Sequence, residues 1–208
     1  MKVDNSNKYN RLKNAYIILA FQLLITFFIV KYVRNNPTYY KKIQQFIWIP
    51  IILSFAILFI IQLSDFSMIT KLFFFTLFSV CLGMLCIATS KYISDELIIS
   101  ALKGTLGIFV MMSIVGFICY KLGINLSKLQ FILLFGLIGL IIGTFFVKSV
   151  KQYKVLFIAG FIIFSLLISL DTYRMLSSKY SDPVSDALSL YLDSINLFQQ
   201  MIGLGSVK

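Results

Sequence analysis

Apolar residues gather into seven stretches along the chain, separated by short polar connections that hold most of the charge. A helix rising about 1.5 Å per residue needs roughly 20 apolar residues to cross about 30 Å of hydrocarbon. The pattern predicts helices over 15–33, 46–63, 72–90, 97–119, 129–147, 155–174 and 184–203. The expected fold is an all-α membrane protein: a seven-transmembrane-helix bundle forming a single domain over 15–203, with a short basic tail over 1–14 and a C-terminal tail over 204–208. The first stretch follows Lys8, Arg11 and Lys13, as a signal peptide would. Its apolar part is too long for one, and Val33-Arg34-Asn35-Asn36-Pro37 reads as a loop rather than a cleavage site, so the stretch is expected to stay as a helix.

The last stretch is unlike the others. Ser189, Asp193, Asn196 and Gln200 recur at steps of four, three and four, which places them in one stripe, and Tyr191, Ser194 and Gln199 widen its polarity. Lipid solvates such a helix poorly all round. It is therefore expected at the centre of the bundle, its stripe facing a partner or a wet cavity, with Leu192, Ile195, Leu197 and Met201 serving packing. Just before it, Asp182 suits an N-cap and Pro183 the first helical turn. Ser94-Asp95-Glu96 reads as another N-cap, with acids at the positive helix end. Gly136, Gly139 and Gly143, with a GxxxG step between the last two, point to close helix packing in the fifth stretch.

Composition agrees with the pattern. Hydrophobic residues make up 59% and charged residues 13%, against roughly 45–50% and about 25% in soluble domains. Mean hydropathy is +0.91, so the bilayer is the first partner. The chain has no His, which removes the commonest general base and metal ligand and with it the usual zinc and Ser-His-Asp chemistry. The net charge of +11 would suggest nucleic acid in a soluble protein. Here the cations sit between apolar segments, in Lys41-Lys42, in Lys148 with Lys151 and Lys154, and in Lys2 through Lys13. That is where lipid headgroups lie, and no nucleic acid is expected as a partner. With the N-terminus inside, nine Lys and Arg fall on inner segments and ten on outer ones, so charge does not orient the chain. Cys81, Cys86 and Cys119 all lie in apolar runs and read as packing thiols, with no disulfide expected.

Of eight acids, six fall in loops or near helix ends; Asp171 and Asp193 do not. An acid at the centre of a membrane helix costs about 2.5–3.5 kcal/mol, so it is rare without a purpose. Counted from the intervening loop, Asp171 lies about 10 Å and Asp193 about 15 Å inside their helices, at about 1.5 Å per residue. A tight antiparallel hairpin brings both to similar depth. Two carboxylates about 4 Å apart repel by roughly 4 kcal/mol at an effective dielectric near 20. Such a pair would hold one proton near neutral pH and titrate as a unit, which makes it a proton sensor. Doubly ionised, it offers oxygen ligands to a hard cation such as Ca²⁺.

Asp171-Thr172 and, further on, Leu190-Tyr191-Leu192-Asp193-Ser194-Ile195-Asn196-Leu197-Phe198 resemble the signature of the transmembrane Bax inhibitor motif family, in which a DT pair closes the sixth span and LYLDxINLF occupies the seventh. Tyr16 through Thr26 (YIILAFQLLIT) is similar to the family's first span, and Phe75-Thr76 with Gly83 to its third. Leu122 through Leu129 takes the place of a segment often reading DFS. The resemblance implies a seven-helix bundle with a central last helix, pH-sensitive Ca²⁺ leak, calcium homeostasis and restraint of apoptosis. It maps the family's paired aspartates, regarded as the proton-sensing gate, onto Asp171 and Asp193, with Ser189, Asn196 and Gln200 as the supporting stripe. Two departures stand out. The basic residue that latches onto the aspartates in many members is replaced at its nearest position by Gln62, and the usual acid before span five by Asn125. The first span is closest to the lifeguard and Golgi anti-apoptotic branch, which implies an endoplasmic reticulum or Golgi membrane of eukaryotic or viral origin, the bacterial plasma membrane being the alternative.

The leading expectation is thus a proton-modulated calcium-leak channel, not an enzyme, with no cofactor beyond Ca²⁺ as permeant or bound ion. A non-conducting regulator that binds other membrane or apoptosis-regulating proteins fits the same fold. An intramembrane aspartyl protease comes third, because Leu190-Tyr191-Leu192 precedes Asp193 where that class has Gly-x-Gly.

Overall fold

The structure is a computed structural model that describes residues 5–63, 65–90, 93–178 and 182–206. Lys2 of the amino-terminal cluster and Lys179-Tyr180-Ser181 of the last connection lie outside the described residues. Eight helices follow one another, α1 (Asn5–Arg34), α2 (Pro37–Gln45), α3 (Trp48–Leu63), α4 (Met68–Ser90), α5 (Asp95–Lys121), α6 (Ser127–Phe146), α7 (Val150–Ser177) and α8 (Pro183–Ser206), with no strand among the described residues. Five helices (α1 from Lys8, α4 as far as Cys86, α5, α6 and α7) are long and apolar enough to cross a membrane. Helices α2 and α3 meet at 71° and make a sixth crossing if taken as one broken span. The protein is an integral membrane protein.

The expected count of seven helices needs correction, because the connection after the first span is itself helical. Asn36 is extended at the N-cap and Pro37 takes the first turn, where its missing N–H leaves no bond unmade. Tyr40 then buries against Val33, with Ile29, Val30 and Ile43 around it, while Lys41 and Lys42 stay exposed. A nine-residue amphipathic helix has no long apolar run and hides from a search for one. Helix α8 forms where expected but is not among the five, because its Asp, Asn, Gln and Ser residues dilute its hydropathy. It is buried around most of its circumference, Val184, Ala187, Leu188, Leu190, Tyr191 and Leu197 completely. The amino-terminal residues from Asn5 onward belong to α1, and α8 continues to Ser206.

The residues group into two compact units. One comprises 13–93 with 182–188. In it α3 packs on α4, and a buried polar clasp joins α1 to α4. The Gln22 amide, 1% exposed, donates to Thr76 Oγ1 at 3.2 Å. The Ser79 hydroxyl lies 2.9 Å from Gln22 Oε1 and 3.0 Å from the Phe75 carbonyl. The Thr26 hydroxyl reaches the carbonyls of Gln22 and Ser79 at 3.1 and 3.2 Å. Sliding one helix along the other would strand all of these groups in an apolar interior, so the clasp sets the register.

The other unit comprises 1–12, 94–181 and 189–208 and is organised on α7, against which α5 and α6 pack. Ser149 and Gln152 close a capping box at the start of α7, and Ser94 caps α5 by accepting from Leu97 N–H at 3.3 Å. Just past the end of α5 stands Gly123 (φ 71°), where the N–H of Ile124 reaches the Cys119 carbonyl and that of Gly123 the Tyr120 carbonyl. This left-handed residue closes a Schellman turn that a side chain would strain. Where α5 meets α7, Gly116 lets the backbones touch: a Cβ there would run into the Ser169 carbonyl oxygen and the Thr172 side chain. Between α6 and α7, Gly136 makes room for Ile163 and Gly143 for Leu156, whereas Gly139 faces open space. The close pair is therefore seven residues apart, rather than the GxxxG step. Cys81, Cys86 and Cys119 are free thiols.

The glycines of α5 generate a paired prediction. Gly116→Ala should destabilise the protein by about 1–3 kcal/mol, because a rigid carbonyl stands where the methyl must go. Gly107→Ala meets nothing within 4 Å and should be neutral or slightly stabilising. Thermal unfolding of the detergent-solubilised protein measures both; equal effects would contradict the close α5–α7 approach.

Candidate functional site

Asp171 and Asp193 come from the two helices of the last hairpin. On α7 the run Ile168-Ser169-Leu170-Asp171-Thr172 is buried throughout, held inward by the Gly116 contact at Ser169 and Thr172. Asp171 is 7% exposed, so its carboxylate does not snorkel to the surface. Asp193, on α8, is also 7% exposed. Asp171 bonds Ser189, which stands one helical turn before Asp193 on α8, so both acids belong to the same stretch of the hairpin.

Their surroundings differ. Asp171 Oδ2 accepts a short hydrogen bond from the Ser189 hydroxyl, and Asp171 Oδ1 lies 3.7 Å from the Arg174 guanidinium one turn on. Asp193 Oδ2 is buried with no hydrogen-bond partner among the described residues. One acid is thus provided with donors from both sides, and its neighbour retains an uncommitted oxygen.

The expected polar stripe divides on inspection. Ser189, exposed at its own position, serves Asp171. Asn196 and Gln200 are half-buried, and the Gln200 side chain lies against Gly160 of α7, where a Cβ would come 2.7 Å from it. Ser194 returns its hydroxyl to the Leu190 carbonyl at 2.7 Å and is spent on its own helix, as Ser165 is on Phe161. Gln62, the latch position, is exposed on α3. A cation near Asp171 comes instead from Arg174 on the same helix. Its i,i+3 spacing from Asp171 is legible in the sequence. Asn125 Oδ1 accepts from Ser127 N–H at 2.8 Å, just ahead of α6. Among the described residues no three His, Cys, Asp or Glu side chains gather. A calcium ion at the aspartates would need most of its six to eight oxygens from hydroxyls, carbonyls or water.

The start of α8 is fastened separately. Asp182 Oδ1 accepts from Val184 and Ser185 N–H at 3.0 and 2.8 Å, and its Oδ2 meets the Ser185 hydroxyl at 2.8 Å and the Lys71 ammonium at 2.9 Å. Burial alone would raise the carboxyl's pKa; the Ser185 N–H, the Lys71 ammonium and the Ser185 hydroxyl outweigh it and hold the group below its ordinary range. A carboxylate whose folded pKa is depressed stabilises the fold above the unfolded value and loses that contribution as pH falls through the folded one. Asp182→Asn should therefore melt below the wild type at neutral pH, and the gap should close beneath the ordinary value of 3.8. A gap that persists in strong acid would show that Asp182 acts without its charge.

A family model and one named relative point to the same group. The family model described as "Inhibitor of apoptosis-promoting Bax1" matches residues 8–204, a range that contains Asp171, Asp193 and the whole stripe. "Bax inhibitor 1" of Schizosaccharomyces pombe is 29% identical over 198 residues, covering 92% of this chain and 74% of that protein. An uncharacterized protein of Helicobacter pylori (strain ATCC 700392 / 26695) is 26% identical over 174 residues, covering 80% of this chain and 76% of the relative.

Proposed function

The chain belongs to the Bax inhibitor-1 family, and from that premise we propose that it is a membrane regulator of cell survival that leaks calcium under the control of the Asp171–Asp193 pair. One observation supports the reading above others: two carboxylates, each 7% exposed, sit on the two helices of the last hairpin, linked through Ser189, and one of them keeps an oxygen with no donor among the described residues. An unsatisfied buried acid is costly, and a proton or a cation would relieve it. Ser189 and Arg174 hold Asp171 in place, so the proton exchanged belongs to the pair while the geometry stays with one member. Ca²⁺ enters as cargo, bound by the ionised pair with oxygens from neighbouring groups and water. The protein acts in an endoplasmic reticulum-type membrane, by regulation rather than by catalysis.

Purified protein in liposomes loaded with a calcium indicator tests this. Wild-type flux should change from neutral to acid pH, and Asp171→Asn and Asp193→Asn should each abolish that dependence. A pH profile unchanged from the wild type in both variants would overturn the gate. Absence of flux from correctly folded wild type would leave the family's other role, a non-conducting regulator that binds membrane proteins of the death pathway.

A further inference from the structure

Away from the acid pair, the unit built on α7 brings cations and aromatic rings together where α5 and α7 both end. Lys8, in the first turns of α1, donates to the Tyr120 hydroxyl at 3.2 Å and stands 5.5 Å from the centre of the same ring. Lys121, the last residue of α5, lies 5.3 Å over the Tyr9 ring and 5.5 Å over Phe117. The Tyr120 and Tyr173 rings meet edge to face at 6.5 Å. Arg11 donates to the Ser178 carbonyl at 3.0 Å, which holds the first turns of α1 over the end of α7.

Neither Lys8 nor Lys121 has a carboxylate within ion-pair distance among the described residues. A ring face positions an ammonium without cancelling its charge. Each ammonium carries three N–H donors, and Lys8 commits one of them to Tyr120. Among the described residues, two cations without a carboxylate partner thus share one end of the unit. Helices α5 and α7 are both long and apolar enough to cross the bilayer, which sets that end at the level of lipid headgroups, where tyrosines collect. Just inside it on α5, Ile114 and Ile118 are 52% and 47% exposed, an apolar surface directly beneath the charges.

We propose that this end binds an anionic phospholipid, its phosphate between Lys8 and Lys121 and its acyl chains along Ile114 and Ile118. The required ligand has a negative phosphodiester joined to hydrocarbon, which phosphatidylglycerol supplies and phosphatidylcholine, with its compensating ammonium, does not. The site is independent of calcium conduction, so its failure and the failure of the gate are separate results.

Native mass spectrometry of the full chain in non-ionic detergent, titrated with phosphatidylglycerol or phosphatidylcholine of the same chain length, tests the proposal. The wild type should retain phosphatidylglycerol in clear preference. The double variant Lys8→Gln with Lys121→Gln should lose affinity for it by about 30-fold, the loss expected for two interfacial lysines. Lys8→Arg with Lys121→Arg should keep the preference, and circular dichroism confirms that each variant is folded. Equal retention of the two lipids by the wild type, or undiminished phosphatidylglycerol binding by the folded double-Gln variant, would overturn it. So would displacement of the lipid by glycerol phosphate at equal concentration, because the site would then take a soluble phosphate.

Discussion

A polar side chain inside a membrane protein has no bulk water to fall back on, and the whole interior is arranged around meeting that demand or leaving it open. The Gln22, Thr26, Thr76 and Ser79 clasp meets it with side-chain and carbonyl partners at hydrogen-bonding distance. Such a cluster favours one register and gives its helices little reason to move. At the last hairpin the demand is met for Asp171 by Ser189 and Arg174 and left open at Asp193 Oδ2. Two polar clusters in the same kind of environment therefore have opposite properties: one is closed and structural, the other able to accept something more.

The legible parts of this protein were those with a strong local signal. Asp182-Pro183 announced the start of α8, Ser94 that of α5, and the interruption of apolar runs by Asp171 and Asp193 singled out the two buried acids of the last hairpin. The parts that escaped depend on which residues meet at a distance. Nothing in Pro37–Gln45 exceeds the length of a loop, and its helix is defined by the burial of Tyr40 against Val33. Gln22 reads as one polar residue in an apolar run until Ser79 and Thr76 are brought beside it. The glycines of α6 followed the same logic: spacing nominated Gly139 with Gly143, but the facing side chains Ile163 and Leu156 select Gly136 with Gly143.

Helix α8 shows why hydropathy and architecture can disagree. It falls outside the five helices apolar enough for a span, yet residues such as Leu188, Leu190, Tyr191 and Leu197 have no exposure. Hydropathy asks whether a helix suits lipid; burial shows that this one is surrounded by protein. A segment sheltered in that way can carry acids and amides because other helices take the lipid-facing positions. The family relationship, matched from residue 8 to residue 204, covers that helix through its polar stripe.

The 71° angle between α2 and α3 has a mechanical meaning. If α3 stands along the bilayer normal, α2 is obliged to run nearly flat, like a foot beneath a leg, with Lys41 and Lys42 available to the headgroups and Tyr40 tucked under the end of α1 at Val33. A helix mounted on such a foot resists sinking into a bilayer that thins or thickens around it, since its depth is referenced to the water boundary and not to the hydrocarbon midplane.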